Sequence, residues 1–341
     1  VFAGPEQAWD IVDPRVTVVR KFPANDRLWA RLWADHFRVG PAARRLGADA
    51  LLTVGFVPLR APLPVAMQVI TLHHRRGRPG QPGWRRAGYR SWALGSGLRR
   101  AALVIANSEW TAGQLRAGSR GLEPRLLVSH EGLSHTQFQP EAAPDEGGRL
   151  QSEFGLPPRY LLWISNFYAY KQAERLIAAY ALLKPELRAE FPLVMSGADW
   201  EGGLDRANWM ARRLGIGGEV KFIGWVDDRW LPALYRQARA HVLPSAEETF
   251  GRTVTEAMAC GCPCLLNDIP VLREVAGGAA RMVDFSDTAA AVAGLTEICR
   301  DDELTRGLRV AGLRRAADFS YDKFTRERIG RIRTMLEGPG T

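Results

Sequence analysis

The sequence has few cysteines and no long apolar run, and both scarcities narrow the class of protein. No apolar stretch approaches the roughly 18 residues that cross a bilayer, and AALVIA is typical of a buried strand instead. The first residues, VFAGPEQAW, lack the basic start and apolar core of a secretory signal. With four cysteines in 341 residues, a reducing compartment is the simplest expectation. We therefore expect a cytoplasmic protein, either free or peripheral at the membrane.

The sequence also lacks the spacing of a metal site. Cys260, Cys262 and Cys264 alternate in ACGCPCLL, which matches no zinc pattern and favours a buried strand carrying small side chains. Near the two glutamates considered below, no Asp-x-Asp pair is present that would hold Mg²⁺ beside phosphates. We expect no metal and no cofactor.

Lysine is scarce, whereas arginine is abundant and unevenly placed. The 5 lysines and 41 arginines contribute to a net charge of +9, and residues 1–150 hold 21 basic against 12 acidic side chains. Many of these arginines crowd one region, interleaved with aromatic residues: Arg75, Arg76, Arg78, Trp84, Arg85, Arg86, Tyr89, Arg90, Trp92, Arg99 and Arg100. Such a face attracts anionic lipid headgroups, nucleic acid or an acidic acceptor. A merely solvated arginine-rich surface fits these residues equally well.

Short apolar runs alternate with helical patterns along both halves of the chain. Alternation of this kind predicts parallel sheets joined by right-handed crossovers, here in two copies. The predicted strands are residues 16–19, DALLTV, VAMQVITL, LVIA, LLVS, YLLWIS, PLVMSG, VKFIG, HVLP and PCLL. An amphipathic helix is predicted over residues 28–46, with Trp29, Trp33 and Phe37 facing the core. Another helix is predicted to begin at Lys171.

A change in composition marks the middle of the chain. From Phe138 to Gly155 the sequence is rich in proline, glycine and acidic residues, as in a linker. We therefore predict an N-terminal domain of residues 1–145 and a C-terminal domain of residues 146–318. Residues 319–341 are predicted to form a C-terminal helix that returns toward the N-terminal domain.

The stretch PSAEETFGRTVTEAMA, residues 244–259, carries the strongest chemical signal. Glu248 and Glu256 flank seven residues that include Gly251, just before an apolar helical run. A glycine turn entering a helix presents unpaired N–H groups and the positive end of the helix dipole, which bind anions and above all phosphates. Carboxylates on either side would accept hydrogen bonds from hydroxyl groups, so the pattern suggests a sugar nucleotide. The alternative is structural, because Thr253 and Glu256 also fit a capping box.

The second half of the chain resembles the donor-binding domain of retaining glycosyltransferases of family four. In that family a strand is followed by Glu, seven residues, Glu and Ala-Met-Ala-x-Gly-x-Pro, which here reads Glu248, Glu256 and AMACGCP. A later Glu-Val-x-Gly-x-Ala matches residues 274–279, and LYRQA before HVLPS is also similar to the family. The resemblance covers roughly residues 59–336. It implies the GT-B architecture: two Rossmann-like, doubly wound parallel-sheet domains facing a central cleft, the first on the acceptor side and the second binding the nucleotide sugar.

The resemblance also implies roles for individual residues. Glu256 would accept hydrogen bonds from the ribose hydroxyls, and Glu248 would hold hydroxyls of the transferred sugar. Lys171 corresponds to the lysine that neutralises the diphosphate. His73 corresponds to the histidine that ends a strand and reaches the donor sugar, with a simple strand-end cap as the alternative. Backbone N–H groups would meet the sugar and the diphosphate around Phe250, Gly251, Arg252 and Thr253.

The chain departs from the family pattern at several positions. The family usually has Gly-Arg where this chain has Ser165 and Asn166, so one phosphate-binding cation is missing and Arg252 is the candidate substitute. The usual aspartate after the histidine is His74. VFAGP resembles the family's second strand, so we expect a first strand to be absent from the sequence ahead of Val1; a shortened first strand is the alternative.

Together these residues predict a retaining glycosyltransferase. It would move a hexose-type sugar from a UDP or GDP sugar to a hydroxyl acceptor, including a lipid-linked or polysaccharide glycan. Base contacts are expected around Gly224 and Trp225. The alternatives are a sugar-nucleotide epimerase or phosphorylase of the same architecture, a transferase domain inactivated by its missing cation, and a non-catalytic binder of anionic membrane or nucleic acid. The expected partners are the donor, the acceptor and an anionic membrane contacted peripherally; nucleic acid is not favoured.

Overall fold

The computed structural model describes residues 16–19, 23, 27–72 and 84–337 of the chain. Their contacts divide into two compact units. The first unit takes Val1–Asn107, Thr111–Ser129 and Glu327–Thr341, and the second takes Ser108–Trp110 and His130–Arg326. Each unit contains a wholly parallel sheet, which confirms the predicted architecture. The predicted domain ranges 1–145, 146–318 and 319–341 stay a prediction.

Ten strands and fourteen helices are described. The strands are β1 (Leu51–Val54), β2 (Val65–Val69), β3 (Leu103–Ala106), β4 (Leu126–Val128), β5 (Leu161–Ile164), β6 (Leu193–Ser196), β7 (Val220–Gly224), β8 (Ala240–Leu243), β9 (Cys264–Asn267) and β10 (Arg281–Val283). The helices are α1 (Leu28–Phe37), α2 (Val39–Arg45), α3 (Trp84–Arg100), α4 (Glu109–Gly118), α5 (Glu146–Phe154), α6 (Ala173–Ala181), α7 (Pro185–Glu190), α8 (Gly203–Arg213), α9 (Leu231–Gln237), α10 (Arg252–Ala259), α11 (Pro270–Ala276), α12 (Thr288–Arg300), α13 (Asp302–Ala316) and α14 (Tyr321–Glu337).

The first unit is built on a four-stranded sheet whose strands follow chain order, β1-β2-β3-β4. Its centre consists of buried Ala66, Leu103 and Ile105, and Ile332 and Met335 of α14 pack against them. The end of α14 is therefore part of this core, although it is more than 200 residues away along the chain.

Two predictions for the first unit were wrong. The helix expected over residues 28–46 is divided into α1 and α2. Trp29, Trp33 and Phe37 are 80%, 57% and 41% exposed, whereas Ala34 and His36 are the buried residues of α1. Residues 16–19 contain a single bridge residue, Val19, and no strand. Helical spacing alone did not identify which face of α1 would be covered.

The second unit is a six-stranded sheet in the order β10-β9-β8-β5-β6-β7. The chain runs outward from β5 to β7, returns to β8 beside β5 and continues outward to β10. Alternate side chains of β5 enter two separate cores, Leu161 and Trp163 on one face and Leu162 and Ile164 on the other. The direction of winding reverses between β5 and β8, and open α/β sheets bind ligands beyond the carboxyl ends of strands at such a point.

Several local predictions for the second unit were corrected. The stretch expected to be a linker contains α5, and Phe138 and Leu150 within it are buried. Lys171 ends a short 3₁₀ turn one residue before Gln172, which adopts φ +54°, so the α-helix begins only at Ala173. Of the alternating cysteines only Cys264 lies in a strand, since α10 ends at Ala259 and a turn follows. All four cysteines are free and buried.

Candidate active site

A cavity of about 510 Å³ lies at the carboxyl ends of the strands in the second unit. Its lining includes Ser165 after β5, Gly197 after β6, Trp225 after β7 and the start of α10. We call it the carboxyl-end cavity. Seven of the twelve residues predicted from the sequence line it: Ser165, Asn166, Lys171, Trp225, Arg252, Thr253 and Glu256. Residues distant in sequence meet here because parallel strands bring their carboxyl ends to one edge.

The strand ends that form the floor of this cavity approach one another closely. The Gly197 N–H and the Ser196 hydroxyl both donate to the carbonyl oxygen of Gly224, each over 2.9 Å. Gly197 has φ +153°, and a Cβ atom there would overlap the carbonyl oxygen of Ser165. Only glycine fits at this position. Sequence reasoning missed Gly197, although a glycine directly after the strand PLVMS was the available signal.

The start of α10 has the geometry of an anion site. Gly251 precedes the helix with φ +98°, and the helix has no side-chain cap at its N-terminus. The first N–H groups of an α-helix have no partner within the helix and carry the positive end of its dipole. The helix begins at Arg252, so Thr253 lies inside it and does not occupy the cap position. The capping-box interpretation of Thr253 and Glu256 was therefore wrong.

Glu256 is a buried carboxylate with two polar partners. Its Oε2 accepts a hydrogen bond of 3.2 Å from the Tyr235 hydroxyl, and its Oε1 lies 3.5 Å from Nη2 of Arg252. Burial raises the pKa of Glu256 to about 7, against the opposing effects of Arg252 and of the Tyr235 hydroxyl. Near neutral pH this carboxyl group is therefore close to its titration midpoint.

Lys171 and Glu248 form the tightest charged pair at the cavity wall. Nζ of Lys171 lies 2.5 Å from Oε1 of Glu248, and the two side chains are 14% and 9% exposed. The ammonium group also lies 5.3 Å from the centre of the Tyr170 ring. Lys171 lines the cavity, and Glu248 is joined to that wall through this ion pair. An ammonium has three N–H donors, so one carboxylate leaves capacity for a further anion.

A buried histidine fixes the first turn of α10. Burial lowers the pKa of His241 to about 4, so the ring is neutral at physiological pH. Nδ1 lies 3.2 Å from the carbonyl oxygen of Leu162, and Nε2 lies 3.3 Å from the Thr253 hydroxyl. Nδ1–H therefore donates to that carbonyl, and Nε2 accepts from Thr253. Sequence reasoning missed both His241 and Tyr235, because no local pattern reveals which partner a buried polar side chain finds.

The remaining predicted residues have other surroundings. The Phe250 side chain is buried against His130 and Phe319, with ring centroids 5.8 and 5.6 Å away. Oδ1 of Asn166 accepts the Ala198 N–H over 3.2 Å, so this side chain holds the loop after β6. Trp225 is 68% exposed and is available for stacking. His73 and His74 lie outside the described residues.

The second matched motif supports a loop that borders the site. The Glu274 carboxylate accepts the backbone N–H groups of Glu109 and Trp110 over 2.7 and 3.1 Å, and His130 Nε2 lies 2.8 Å away. Burial alone would raise the pKa of Glu274, but these hydrogen bonds hold that pKa below its ordinary value. The Ser108 hydroxyl donates to the Thr249 carbonyl over 2.7 Å, which ties residues 108–110 to the loop between the two glutamates.

The described residues contain neither a membrane-spanning helix nor a cluster of metal ligands. None of the helices in residues 27–72 and 84–337 has the length and apolarity that a membrane crossing requires. In the same residues, no three His, Cys, Asp or Glu side chains are grouped so that they could hold a metal ion. Metal independence stays a prediction.

Comparison with protein families gives two matches in chain order. The sequence model described as Glycosyltransferase Family 4 matches residues 2–132, and the one described as Glycosyl transferases group 1 matches residues 149–314. O-antigen chain mannosyltransferase B of Escherichia coli is 33% identical over 177 residues, 52% of this chain and 46% of that protein. D-inositol 3-phosphate glycosyltransferase of Salinispora arenicola is 30% identical over 236 residues, 64% of this chain and 52% of that protein. The chain thus matches about half the length of these relatives.

Solved structures share the fold. Sucrose-phosphate synthase from Thermosynechococcus elongatus superimposes with a TM-score of 0.77 at 21% identity, covering 97% of this chain and 86% of that one. Anabaena HepE in complex with UDP and glucose gives a TM-score of 0.65 at 21% identity, covering 80% of this chain and 72% of that one. The two family matches show that the chain belongs to the family-four glycosyltransferases, and the two parallel sheets and the shared fold show the GT-B architecture.

Proposed function

We propose that the second unit binds a nucleoside-diphosphate sugar in the carboxyl-end cavity, and that the protein transfers the sugar to a hydroxyl acceptor with retention of anomeric configuration. One observation carries the proposal: Lys171, Arg252, the glycine-led start of α10 and Glu256 all line a single cavity. Cations and helix N–H groups suit a diphosphate, and a carboxylate suits ribose hydroxyls. The volume of about 510 Å³ lies in the range of small-molecule sites.

The donor set of this cavity fits the charge of the proposed ligand. A diphosphate would lie against Lys171 and the first turn of α10, where unpaired N–H groups and the helix dipole attract anions. Arg252 is 58% exposed on its side chain and contacts Glu256, so it can turn toward phosphate without being drawn out of a core. This exposed position at the cavity wall supports Arg252 as the substitute for the arginine that the family has at Asn166.

Transfer requires the bond between the anomeric carbon and the diphosphate oxygen to break, and a bond from the acceptor oxygen to form. Negative charge then grows on the departing diphosphate. Lys171 and the helix N–H groups would stabilise this charge, which is the type of contribution that dominates many enzymatic rate enhancements. Glu248 keeps Lys171 oriented before the donor arrives. The acceptor proton would pass to the leaving phosphate on the same face, as the family resemblance implies, and we assign no protein nucleophile.

The choice of donor and acceptor follows the relatives. The Escherichia coli proteins are named mannosyltransferases, and the Anabaena HepE structures hold UDP, glucose or UDP-glucose. We propose a hexose carried by UDP or GDP and an acceptor hydroxyl on a glycan, lipid-linked or polysaccharide. The arginine-rich region of the first unit would attract an acidic acceptor or an anionic membrane surface.

A thermal-shift panel of nucleoside diphosphates and their sugars tests the proposal. A ligand present at 100 times its dissociation constant adds about 2.7 kcal/mol to the free energy of unfolding, so a matching nucleotide should raise Tm visibly. Glu256→Gln should weaken this shift, whereas Glu186→Gln, an exposed position on α7, should leave it unchanged. The proposal is wrong if no nucleotide raises Tm.

Product analysis separates transfer from the alternatives. A transferase joins the labelled sugar to an acceptor, an epimerase releases a new sugar nucleotide without one, and a phosphorylase needs inorganic phosphate. Nucleotide binding without any sugar product would indicate an inactive domain. Tight, salt-sensitive binding to RNA or lipid without nucleotide binding would favour the non-catalytic alternative.

A further inference from the structure

A second cavity, of about 310 Å³, opens at the opposite end of the six-stranded sheet. It is lined by residues that lie one to three positions before strands, among them Arg159 before β5, Arg239 before β8, and Gly261 and Pro263 before β9. The sheet therefore separates it from the carboxyl-end cavity. Residues of α13 complete its wall. The glycine and proline of the Ala-Met-Ala-x-Gly-x-Pro motif, Gly261 and Pro263, line this cavity, but the proposed transfer reaction does not use this end of the sheet.

Four arginines give this second cavity a positive excess. Arg159, Arg239, Arg306 and Arg309 all line it, and we call it the arginine cavity. Arg159 pairs with Glu190 over 2.8 Å, at a half-exposed position, and Arg239 pairs with Asp302 over 2.5 Å. In the part of the chain that the structure describes, Arg306 and Arg309 form no ion pair. Asp302 also attracts Arg306 without forming an ion pair with it, so four arginines face two carboxylates and the cavity keeps an excess of two positive charges.

Arg239 gives a second, independent indication that a ligand with hydrogen-bond acceptor atoms binds in this cavity. Its side chain is only 9% exposed, Nε donates to the Ile298 carbonyl over 2.8 Å, and Nη1 is engaged by Asp302. Nη2 is buried and has no hydrogen-bond partner. Leaving a charged donor buried and unsatisfied is costly, and such groups in native proteins often mark a site for an ion or ligand.

The floor of the arginine cavity is shaped to hold a guanidinium. Gly261 has φ +69°, and a Cβ atom there would lie 3.1 Å from Cζ of Arg309. The guanidinium therefore packs directly on the glycine backbone. Arg159 and Arg239 are held over the Phe191 ring, with Cζ atoms 4.8 and 5.7 Å from its centre. Three of the four arginines thus pack against a neighbouring backbone segment or aromatic ring.

We propose that the arginine cavity binds a phosphate group, as inorganic phosphate or a phosphate monoester. Guanidinium forks match the oxygens of phosphate, and two unpaired cations match the two charges of the dianion. A small recess suits a compact headgroup better than an extended polyanion. This proposal is independent of the nucleotide-sugar proposal, because it uses none of the same residues.

Calorimetric titration with inorganic phosphate at constant ionic strength tests the site. Arg306→Ala/Arg309→Ala removes two exposed cations without disturbing buried Arg239, and should weaken phosphate binding at least tenfold, which corresponds to about 1.4 kcal/mol. Arg212→Ala/Arg213→Ala removes the same charge from the exposed end of α8 and should not change the dissociation constant. Lys171→Ala should not change it either, since Lys171 belongs to the other cavity.

Three outcomes would overturn the proposal. One is the absence of binding to both inorganic phosphate and vesicles that contain phosphatidic acid. Another is equal weakening by both arginine double variants, which would indicate general charge attraction only. The third is loss of binding in Lys171→Ala alone, which would place the phosphate in the carboxyl-end cavity. A last arm uses vesicles containing phosphatidic acid. Cosedimentation that depends on Arg306 and Arg309, without binding of inorganic phosphate, would support the proposal and assign the site to the phosphate monoester of a lipid headgroup.

Discussion

The two edges of the six-stranded sheet both carry basic side chains, but a smaller share of these charges is paired at the amino edge than at the carboxyl edge. At the carboxyl edge, Lys171 is paired with Glu248 and Arg252 contacts Glu256. At the amino edge, Arg159 and Arg239 are paired with Glu190 and Asp302, but Arg306 and Arg309 form no ion pair among the described residues and one nitrogen of Arg239 is unsatisfied. The carboxyl edge is therefore nearly neutral before a ligand arrives, whereas the amino edge is positive.

This difference bears on selectivity. A ligand of the carboxyl-end cavity must satisfy cations and carboxylates together, which requires an anion joined to hydroxyl groups. A ligand of the arginine cavity needs only negative charge and acceptor oxygens. Paired charges thus favour recognition of a whole molecule, and unpaired charges favour recognition of one group.

The largest expected effect is on turnover at the carboxyl edge. Lys171→Ala should lower kcat for sugar transfer by about 100- to 1,000-fold, because it removes a donor that faces the charge on the leaving group. Steady-state kinetics with a labelled donor measures it, and Lys184→Ala, at an exposed position, is the matched control. An unchanged kcat would show that Lys171 serves only its ion pair with Glu248.

The next effect compares the backbone at the two edges. Gly197→Ala should destabilise the protein by about 3 kcal/mol, because a Cβ atom would overlap the fixed Ser165 carbonyl. Gly261→Ala should cost about 1–2 kcal/mol, since the left-handed backbone is strained but the Arg309 side chain can move. Urea unfolding measures both, with Gly218→Ala as the control because its Cβ would contact nothing. Equal losses for Gly197 and Gly261 would contradict the difference in rigidity.

A comparable effect depends on pH. The pKa of Glu256 is about 7 in the folded state against an ordinary 4.5, so the folded protein binds the proton more tightly than the unfolded chain between these values. The free energy of unfolding should therefore fall by about 3 kcal/mol as pH rises from 4.5 to 7 on account of this group. The difference between the parent protein and Glu256→Gln in free energy of unfolding, measured as a function of pH, isolates the contribution of Glu256. A flat difference would mean that Glu256 is not held in a desolvated site.

The smallest effect is expected from the amino edge. Arg306→Ala/Arg309→Ala should change the free energy of unfolding by less than about 0.5 kcal/mol, because both side chains are exposed and unpaired. Nucleotide affinity at the carboxyl edge should also stay constant. A nucleotide affinity that falls with this double variant would show that the two edges are coupled.

Sequence reasoning identified several residues that line the carboxyl-end cavity, but it missed buried residues that hold them in place. Lys171, Arg252 and Glu256 were chosen from motif spacing, and the parallel sheet brings them to one wall. Their proposed roles stay predictions. Tyr235 and His241 were missed, since their importance comes from contacts across the fold.

The same limit explains the errors elsewhere. The polar composition before Gly155 suggested a linker, but the buried ion pair of Glu146 with Arg236 anchors α5 in the second unit. The exposure of Trp29 and Trp33 could not be predicted either, because the spacing of aromatic residues does not show which face of a helix packs against another element. Local patterns predicted fully buried strands well. They failed where an element is held by side chains that are far apart in the sequence.

The place of α14 in the first core has a consequence for synthesis on the ribosome. Ala66, Leu103 and Ile105 have been translated long before Ile332 and Met335, which pack against them. At about 5–20 residues per second, that apolar surface waits on the order of 10 to 50 s for its cover. The nascent chain must therefore carry an incomplete first core while the more than 200 residues between β3 and the end of α14 are made, and termination before α14 would leave that apolar surface exposed.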